Sequence, residues 1–316
     1  MAASEVARAD AVPAATGGPG RWPARLGRAA RSAGRAVPPT GLILVGIASV
    51  QSGSAVAKTL FGQLPPPGVV LLRLGFAAVL LLPRFRWRRD GTDGIRRGWR
   101  DAAVAGGLGL TMAGTTLAFY ESLDRIPLGI AVTVEFCGPL GVAVAGSRRR
   151  LDALWVLLAG LGVVLLARGG GSVTVLGVAF AALAGVGWAG YILFTAAVGR
   201  RFDGVSGLAL ACTVGALASL PFGLVASGAR LRSAQTLLLG GCVAVLSGLI
   251  PYSVELRALR HIPARTFGLL MSMEPAVAAL IGFAVLGEVL SVREWLAIGL
   301  VVAACVGATR SAATGS

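Results

Sequence analysis

The sequence predicts an all-α membrane protein with ten transmembrane helices, arranged as two inverted five-helix repeats. Three observations predict this class: the apolar composition, the regular recurrence of apolar stretches, and the one-sided placement of basic residues. Hydrophobic residues make up 55% of the 316-residue chain and charged residues 14%, whereas soluble proteins carry about 25% charged residues. A soluble, entirely helical core is therefore a poor explanation of the composition.

Ten apolar stretches follow one another along the chain, most of them long enough to cross about 30 Å of hydrocarbon as a helix. We number them as predicted spans 1 to 10; they cover residues 41–61, 68–83, 101–120, 127–146, 151–167, 173–198, 205–226, 234–256, 265–286 and 294–308. The short alternating segments that are typical of membrane strands do not replace them anywhere in the sequence.

The net charge of +15 is distributed unevenly between the two ends of these spans. With the N-terminus in the cytoplasm, the cytoplasmic side carries 22 basic residues and the outer side five. This asymmetry follows the positive-inside rule and predicts that both termini are cytoplasmic. Because the charge follows the membrane topology, we do not expect nucleic-acid binding. Residues 1–40 are rich in Arg, Ala, Gly and Pro and predict a disordered, basic cytoplasmic tail.

The cysteines and the single histidine do not indicate a metal or redox site. All four cysteines lie in apolar spans without a CxxC pair, and we interpret them as small apolar side chains. His261 lies in a predicted connection and has no second histidine to accompany it. We therefore expect no catalytic residue, no metal and no cofactor. The glycine pattern GVGWAG at 185–190 lies inside an apolar span, so it favours close helix contact over dinucleotide binding.

The chain repeats itself at the level of a five-helix unit. Ile126–Pro127 corresponds to Ile262–Pro263, and a second proline, Pro139 or Pro275, follows twelve residues later in both copies. The repeats are predicted to span 41–168 and 173–310. Because five is an odd number, the second copy enters the membrane from the opposite side. Inverted repeats with a site near the bilayer midplane are typical of secondary transporters.

Specific stretches resemble a known family. The stretch 256–304, which contains "MEP" and "LGE", resembles the repeat signature of the EamA branch of the drug/metabolite transporter superfamily. The stretches 109–140 and 250–276 are similar to bacterial inner-membrane threonine and homoserine exporters. This resemblance implies export of a small amino acid across the inner membrane. The inverted repeats imply that export proceeds by alternating access, and we expect a monomer or homodimer. Proton antiport would supply the energy, and no Walker motif indicates direct use of ATP.

Two carboxylates lie deep in apolar spans. Glu135 is about 12 Å from the outer end of span 4, and Glu274 is about 13 Å from the inner end of span 9, at about 1.5 Å per residue. A charge at this depth costs roughly 2.5–3.5 kcal/mol on insertion scales, so such residues are usually functional. They could bind a substrate ammonium or carry protons, because burial favours the neutral carboxyl group. The alternative is that each carboxylate has a structural partner.

Two basic residues, Arg73 and Lys58, lie in spans 2 and 1. Arg73 could bind a substrate carboxylate through its two-pronged guanidinium group. Lys58 is the weaker candidate, because it is close enough to the end of span 1 to reach water. The alternative for Arg73 is a structural ion pair with Glu135, which would also keep an empty site neutral.

Further candidates are polar, aromatic or helix-bending residues. Gln51 and Ser52 give span 1 a polar face. Trp188 and Tyr191 could line a pocket or belong to the interfacial aromatic belt. Pro139 and Pro275 remove a helix hydrogen bond each and predict kinks. Possible gates at the rims, paired with Arg125 and Arg257, are Glu121 and Glu255.

Two alternatives to amino-acid export stay open at this stage. The first keeps the transporter class but changes the substrate to another metabolite, a polyamine or a drug-like cation. The second is a membrane-embedded enzyme that modifies lipid. An enzyme would need catalytic residues near one interface, whereas the acids of this chain lie centrally.

Overall fold

The computed structural model describes residues 39–84, 94–145, 150–167, 173–202, 205–251, 254 and 264–313. The predicted tail up to residue 38 and the possible gate at Glu255 lie outside the described residues. Every regular element within these ranges is helical.

The first half of the chain forms six helices: α1 (Pro39–Leu60), α2 (Pro66–Leu81), α3 (Gly94–Leu123), α4 (Leu128–Glu135), α5 (Cys137–Ala145) and α6 (Arg150–Ala167). The second half forms six more: α7 (Val175–Gly199), α8 (Ser206–Ser227), α9 (Ala234–Ala244), α10 (Ala264–Met271), α11 (Glu274–Leu286) and α12 (Val292–Ala313). A π-helical segment, Val245–Leu249, continues α9.

The helices fit the ten predicted spans. Within the described residues, six helical stretches are long and apolar enough to cross a membrane, and four shorter apolar stretches cover 66–81, 128–142, 154–166 and 234–249. Each predicted span coincides with one of these ten. The chain is therefore an all-helical, multi-pass membrane protein.

Predicted spans 4 and 9 are each divided in two, shortly before a proline. Span 4 is interrupted at Phe136, between α4 and α5, and span 9 at 272–273, between α10 and α11. Pro139 and Pro275 have no backbone N–H to donate to the carbonyl four residues earlier, so regular helix cannot continue unchanged through these points. The two deep glutamates adjoin these interruptions, since Glu135 ends α4 and Glu274 begins α11.

Helices of the two halves pack against one another throughout the bundle. The pairs that join one half to the other include α3 with α7, α2 with α8, α6 with α12, α3 with α8, α4 with α11, and α1 with α9 and its π segment. The centre of the molecule is therefore an interface between the halves.

Glycines permit the closest of these contacts, beside the interruption in span 4. A Cβ atom at Gly138 would overlap the carbonyl oxygen of Gly185, and one at Gly185 would lie 2.8 Å from the carbonyl oxygen of Glu135. The glycine pattern at 185–190 thus lets α7 approach the backbone next to Glu135, as small residues do between membrane helices.

Candidate functional site

A buried hydrogen bond joins the two halves at Glu274. Gln51 in α1 donates from Nε2 to Glu274 Oε1 at 2.8 Å, and the two residues are only 1% and 5% exposed. Glu274 is the first residue of α11, where unsatisfied N–H groups and the helix dipole stabilise a negative charge. The predicted polar face of span 1 therefore meets a predicted buried acid.

Arg73 in α2 lies among neutral partners. Its Nη1 donates to Thr116 Oγ1 at 3.2 Å, and its Nη2 donates to the carbonyl oxygen of Ser247 in the π segment at 3.4 Å. Its Cζ lies 6.0 Å from the ring centroid of Tyr120. Within the described residues, Arg73 forms no ion pair within 4.0 Å, so its charge can still bind an anionic group.

Glu135 completes the charged cluster. Its side chain is buried at 9% exposure and interacts electrostatically with both Glu274 and Arg73. The structural ion pair between Arg73 and Glu135, which the sequence left as an alternative, is not formed among the described residues. The reason is geometric, because the guanidinium group is directed to Thr116 and to the backbone of the π segment.

We call Gln51, Arg73, Glu135 and Glu274 the central cluster. It combines one guanidinium group, one amide and two carboxylates with the hydroxyl groups of Thr116 and Tyr120, and the Tyr120 hydroxyl hydrogen-bonds to Arg73. Two buried oxygen atoms here have no hydrogen-bond partner among the described residues: Gln51 Oε1 and Ser247 Oγ. Such a cluster can bind a small molecule that carries a positive group, a negative group and a hydroxyl, because each charge then has a partner.

The other predicted site residues lie at different distances from the central cluster. Trp188 packs edge-to-face on Phe136, with ring centroids 4.9 Å apart, and so lies beside Glu135. Ser52 is half-buried and follows Gln51 in α1. Tyr191 packs instead in a separate cluster with Leu108 and Val198.

Lys58 lies in a second charged group, away from the central cluster. Its Nζ atom forms an ion pair with Glu288 Oε1 at 2.7 Å and donates to the carbonyl oxygen of Ile126 at 2.7 Å. Glu288 follows α11, and sequence reasoning missed it. Glu288 is visible in the sequence as the second residue of the Gly287–Glu288 pair after span 9. A carboxylate at the end of a span is common without any functional role, so the sequence did not single it out.

The predicted pair of Glu121 and Arg125 forms, with Nη1 and Oε2 2.6 Å apart. Both residues belong to the end of α3 and the turn after it, so this pair lies within the first half of the chain. Arg125 also lies 5.1 Å from the ring centroid of Phe180 in α7. The pair touches the second half through this aromatic contact and through the Arg125 Cβ atom beside Gly177 of α7.

Thr116 and Ser247 also belong to the site and were not predicted. A single hydroxyl group in an apolar helix is a weak indication of a site, because it can donate its hydrogen bond to the backbone carbonyl four residues earlier. Thr111 and Thr133 do this in the same protein. Groups of three or more potential metal ligands are not found in the part of the chain that the structure describes.

Known proteins resemble this chain over most of its length. The threonine/homoserine exporter RhtA of Escherichia coli (strain K12) is 40% identical over 275 residues, which cover 86% of this chain and 91% of RhtA. RhtA of Salmonella typhimurium (strain LT2) is 40% identical over 272 residues, covering 85% and 90%. The uncharacterized inner membrane transporter YedA of E. coli (strain K12) is 25% identical over 261 residues, covering 77% and 81%.

The fold and the second half of the chain have their own matches. A solved crystal structure matches 86% of this chain and 98% of its own with a TM-score of 0.55, and its 19% identity makes this a likeness of fold alone. Residues 175–310 match the EamA-like transporter family. Since the RhtA proteins are 40% identical over most of the chain, this protein belongs to the EamA-like transporter family and is a membrane transporter, not an enzyme.

Proposed function

We propose that this protein exports small hydrophilic amino acids of the threonine and homoserine class across a bacterial inner membrane. The observation that carries the proposal is the central cluster, in which Arg73 has only neutral direct partners and lies within electrostatic reach of a buried carboxylate. The identity to RhtA, a threonine/homoserine exporter, supports the substrate class.

The substrate binds between the charges of the central cluster. Arg73 binds the α-carboxylate with its planar fork, which suits a carboxylate better than a point charge does. Glu135 and Glu274 neutralise the α-ammonium. Moving a zwitterion into a low-dielectric site is costly unless both of its charges are paired, so both ends of the substrate need these partners.

The hydroxyl group of the substrate binds the oxygen atoms that lack a partner. Tyr120 is 1% exposed, and its ring lies beside the Arg73 guanidinium group. Gln51 Oε1 and Ser247 Oγ are unpaired in the same region, and an unpaired buried polar atom costs free energy that a ligand hydroxyl removes. Threonine and homoserine have this hydroxyl, whereas valine, which is nearly isosteric with threonine, lacks it.

Alternating access follows from an inverted-repeat arrangement, which the packing supports. Two helix pairs, α2–α8 and α6–α12, join elements at equivalent positions of the two predicted repeats, and α4 packs on α11 within the equivalent spans 4 and 9. When each helix is replaced by its counterpart in the other repeat, the pair α1–α9 becomes α3–α7, and the pair α3–α8 becomes α2–α9. The central cluster lies at this interface, so rocking of one repeat against the other would expose it to each side in turn.

Proton antiport drives export, with Glu135 or Glu274 as the carrier. Two neighbouring carboxylates in an apolar site are costly when both are charged, so we infer that they share one proton while the substrate ammonium is absent. Binding of the ammonium then favours release of that proton. Substrate and proton would thus occupy the same pair of acids alternately.

Transport in everted membrane vesicles tests the proposal, since export from a cell becomes uptake into such vesicles. Vesicles with the wild-type protein should take up labelled threonine when a proton gradient is applied, and Arg73→Ala vesicles should not. Unlabelled homoserine should compete, whereas valine and a polyamine should not. If the polyamine competes with threonine and homoserine does not, the protein exports cations instead. If neither threonine nor homoserine is taken up, the proposed substrate class is wrong.

A further inference from the structure

A second cluster of charges ties the two halves together at one end of the bundle. The Lys58 ammonium contacts Glu288 Oε1 at 2.7 Å and the Ile126 carbonyl oxygen at 2.7 Å. The other carboxylate oxygen of Glu288, Oε2, accepts a hydrogen bond from the backbone N–H of Leu128 at 2.8 Å. Two side chains thereby connect three segments: the end of α1, the α3–α4 connection and the α11–α12 connection.

The chain around Glu288 is built to hold this carboxylate in place. Gly287 ends α11 with a φ of +67°, a left-handed conformation that favours glycine. The backbone N–H of Gly287 donates a hydrogen bond to the carbonyl oxygen of Phe283 at 3.2 Å, and that of Glu288 donates to the carbonyl oxygen of Gly282 at 3.1 Å. A Cβ atom at Gly282 would lie 2.5 Å from Glu288 Oε2, so only glycine there leaves room for the carboxylate.

The residues of the first half beside this cluster are closely packed. Leu60, Leu64, Leu123 and Leu128 have no exposed surface, and Ile126 is 2% exposed. On the α11–α12 side, Glu288 lines a cavity together with Phe283 and Val289. The side of the ion pair that faces α1 and the α3–α4 connection is therefore closed in this conformation. With both termini in the cytoplasm, this end of the bundle is the outer end.

We propose that Lys58 and Glu288 form a latch that holds this end closed and that opens once in every transport cycle. The proposal rests on the proposed function in one respect, which is that transport proceeds by alternating access. Unlike the Glu121–Arg125 pair, the latch joins one half of the chain to the other. A site at the interface of the halves cannot open at this end while the latch is intact.

The partial exposure of the Lys58 and Glu288 side chains allows the latch to open reversibly. The side chains of Lys58 and Glu288 are 23% and 12% exposed. Separating a fully buried ion pair leaves two unpaired charges in a low-dielectric medium at high cost. At the rim of the bundle, water can hydrate both charges as they part, so the latch can stabilise the closed state without preventing the cycle.

The first experiment measures opening without a substrate. Leu128→Cys is placed in a background in which Cys137, Cys212, Cys242 and Cys305 are changed to serine, and the rate of alkylation by a water-soluble maleimide is measured on purified protein. Glu288→Gln and Lys58→Met should each raise this rate by roughly five- to tenfold, because the closed state loses its ion pair and the open population grows.

A matched control removes an ion pair of similar length at the same end. Glu121→Gln breaks the 2.6 Å contact to Arg125 within one half, and it should change the alkylation rate by less than about twofold. An equal rise in Glu121→Gln, or no rise in either latch variant, overturns the proposal. This measurement does not depend on which molecule is exported, so it can fail or succeed separately from the proposed function.

The second experiment replaces the Lys58–Glu288 ion pair by a disulfide bond that can be formed by oxidation and broken by reduction. In a Glu288→Ala background, Leu128→Cys and Gly282→Cys place two Cβ atoms 3.5 Å apart, a separation that a disulfide accepts. Oxidation should reduce export of labelled threonine at least tenfold, and reduction should restore it. Export by fully cross-linked protein at the rate of the reduced protein would show that this end does not open.

Discussion

At the scale of single residues, Arg73 has an arrangement that is costly without a ligand. Its direct partners are a hydroxyl oxygen, a carbonyl oxygen and an aromatic ring, none of which is charged. A cation inside the membrane region normally pairs with an anion or marks a substrate pathway. The nearby carboxylate of Glu135 interacts with Arg73 electrostatically but does not pair with it directly, so the guanidinium group can still bind an anionic group.

Arg73→Lys should weaken substrate binding while leaving the protein folded. The substitution keeps the positive charge but loses the planar fork, and the loss should amount to at least about tenfold in apparent affinity, or about 1.4 kcal/mol. Competition by unlabelled substrate in the vesicle assay measures this change. Export by Arg73→Ala at the wild-type rate would show that the arginine serves packing or topology instead.

Tyr120→Phe should lower the preference for threonine over valine. The substitution removes only the hydroxyl group beside Arg73, so the ring packing against Phe61, with centroids 5.7 Å apart, is retained. Sites that hydrogen-bond a substrate hydroxyl discriminate strongly against analogues that lack it. The ratio of uptake rates for the two amino acids measures the effect, and Tyr191→Phe, in a separate cluster, should leave the ratio unchanged.

Glu274→Gln should separate coupling from binding. The amide mimics the protonated acid and can still hydrogen-bond Gln51, so the fold should survive. Uptake driven by a pH gradient should be lost, while exchange of labelled for unlabelled substrate at equal pH on both sides continues. Loss of both activities with normal expression would assign Glu274 to substrate binding, and retention of both would make it structural; Glu135→Gln is measured in parallel.

At the scale of elements, the interruptions in spans 4 and 9 place two carboxylates beside irregular backbone. Glu135 ends one short helix and Glu274 begins another, so each acid adjoins irregular backbone at the interface of the halves. Transporters commonly place their sites at such discontinuous helices. The glycine surface of α7 presses against the first interruption and holds it in place.

Gly185→Ala should destabilise the protein by about 1–3 kcal/mol, because the added methyl group would lie 2.8 Å from the carbonyl oxygen of Glu135 and the backbone must move. Gly190→Ala is the matched control in the same helix, since its new methyl group would have its nearest neighbour at 3.5 Å. Denaturation of both purified variants in detergent gives the comparison. Equal stability of the two variants would contradict the close approach of α7.

At the scale of the whole molecule, the orientation in the membrane remains a prediction from charge. Reporter fusions at Gly170 and Gly228 should lie outside the cytoplasm, and fusions at Gly91 and Arg201 should lie inside it, because basic residues are retained on the cytoplasmic side. A signal from outside at Gly91 would contradict both this topology and the inverted-repeat arrangement.

Much of the architecture was predictable from the sequence, because the membrane imposes it locally. Apolar stretches must form helices to satisfy their backbone in lipid, so each of the ten predicted spans coincides with a helical stretch. The same principle made Glu135, Glu274 and Arg73 visible, since charges stand out in apolar sequence. Their mutual approach in the central cluster also agrees with their predicted depths.

The sequence by itself thus determined the membrane class, the helices and the presence of Glu135, Glu274 and Arg73 in apolar spans, but it did not reveal Glu288. Only the tertiary structure decided which charges meet. The partners are 223 residues apart for Gln51 and Glu274 and 230 for Lys58 and Glu288, so helix packing and not local pattern brings them together. Several partners are backbone groups, such as the carbonyls of Ser247 and Ile126. Every residue carries a backbone carbonyl, so residue identity cannot reveal which one will accept a hydrogen bond.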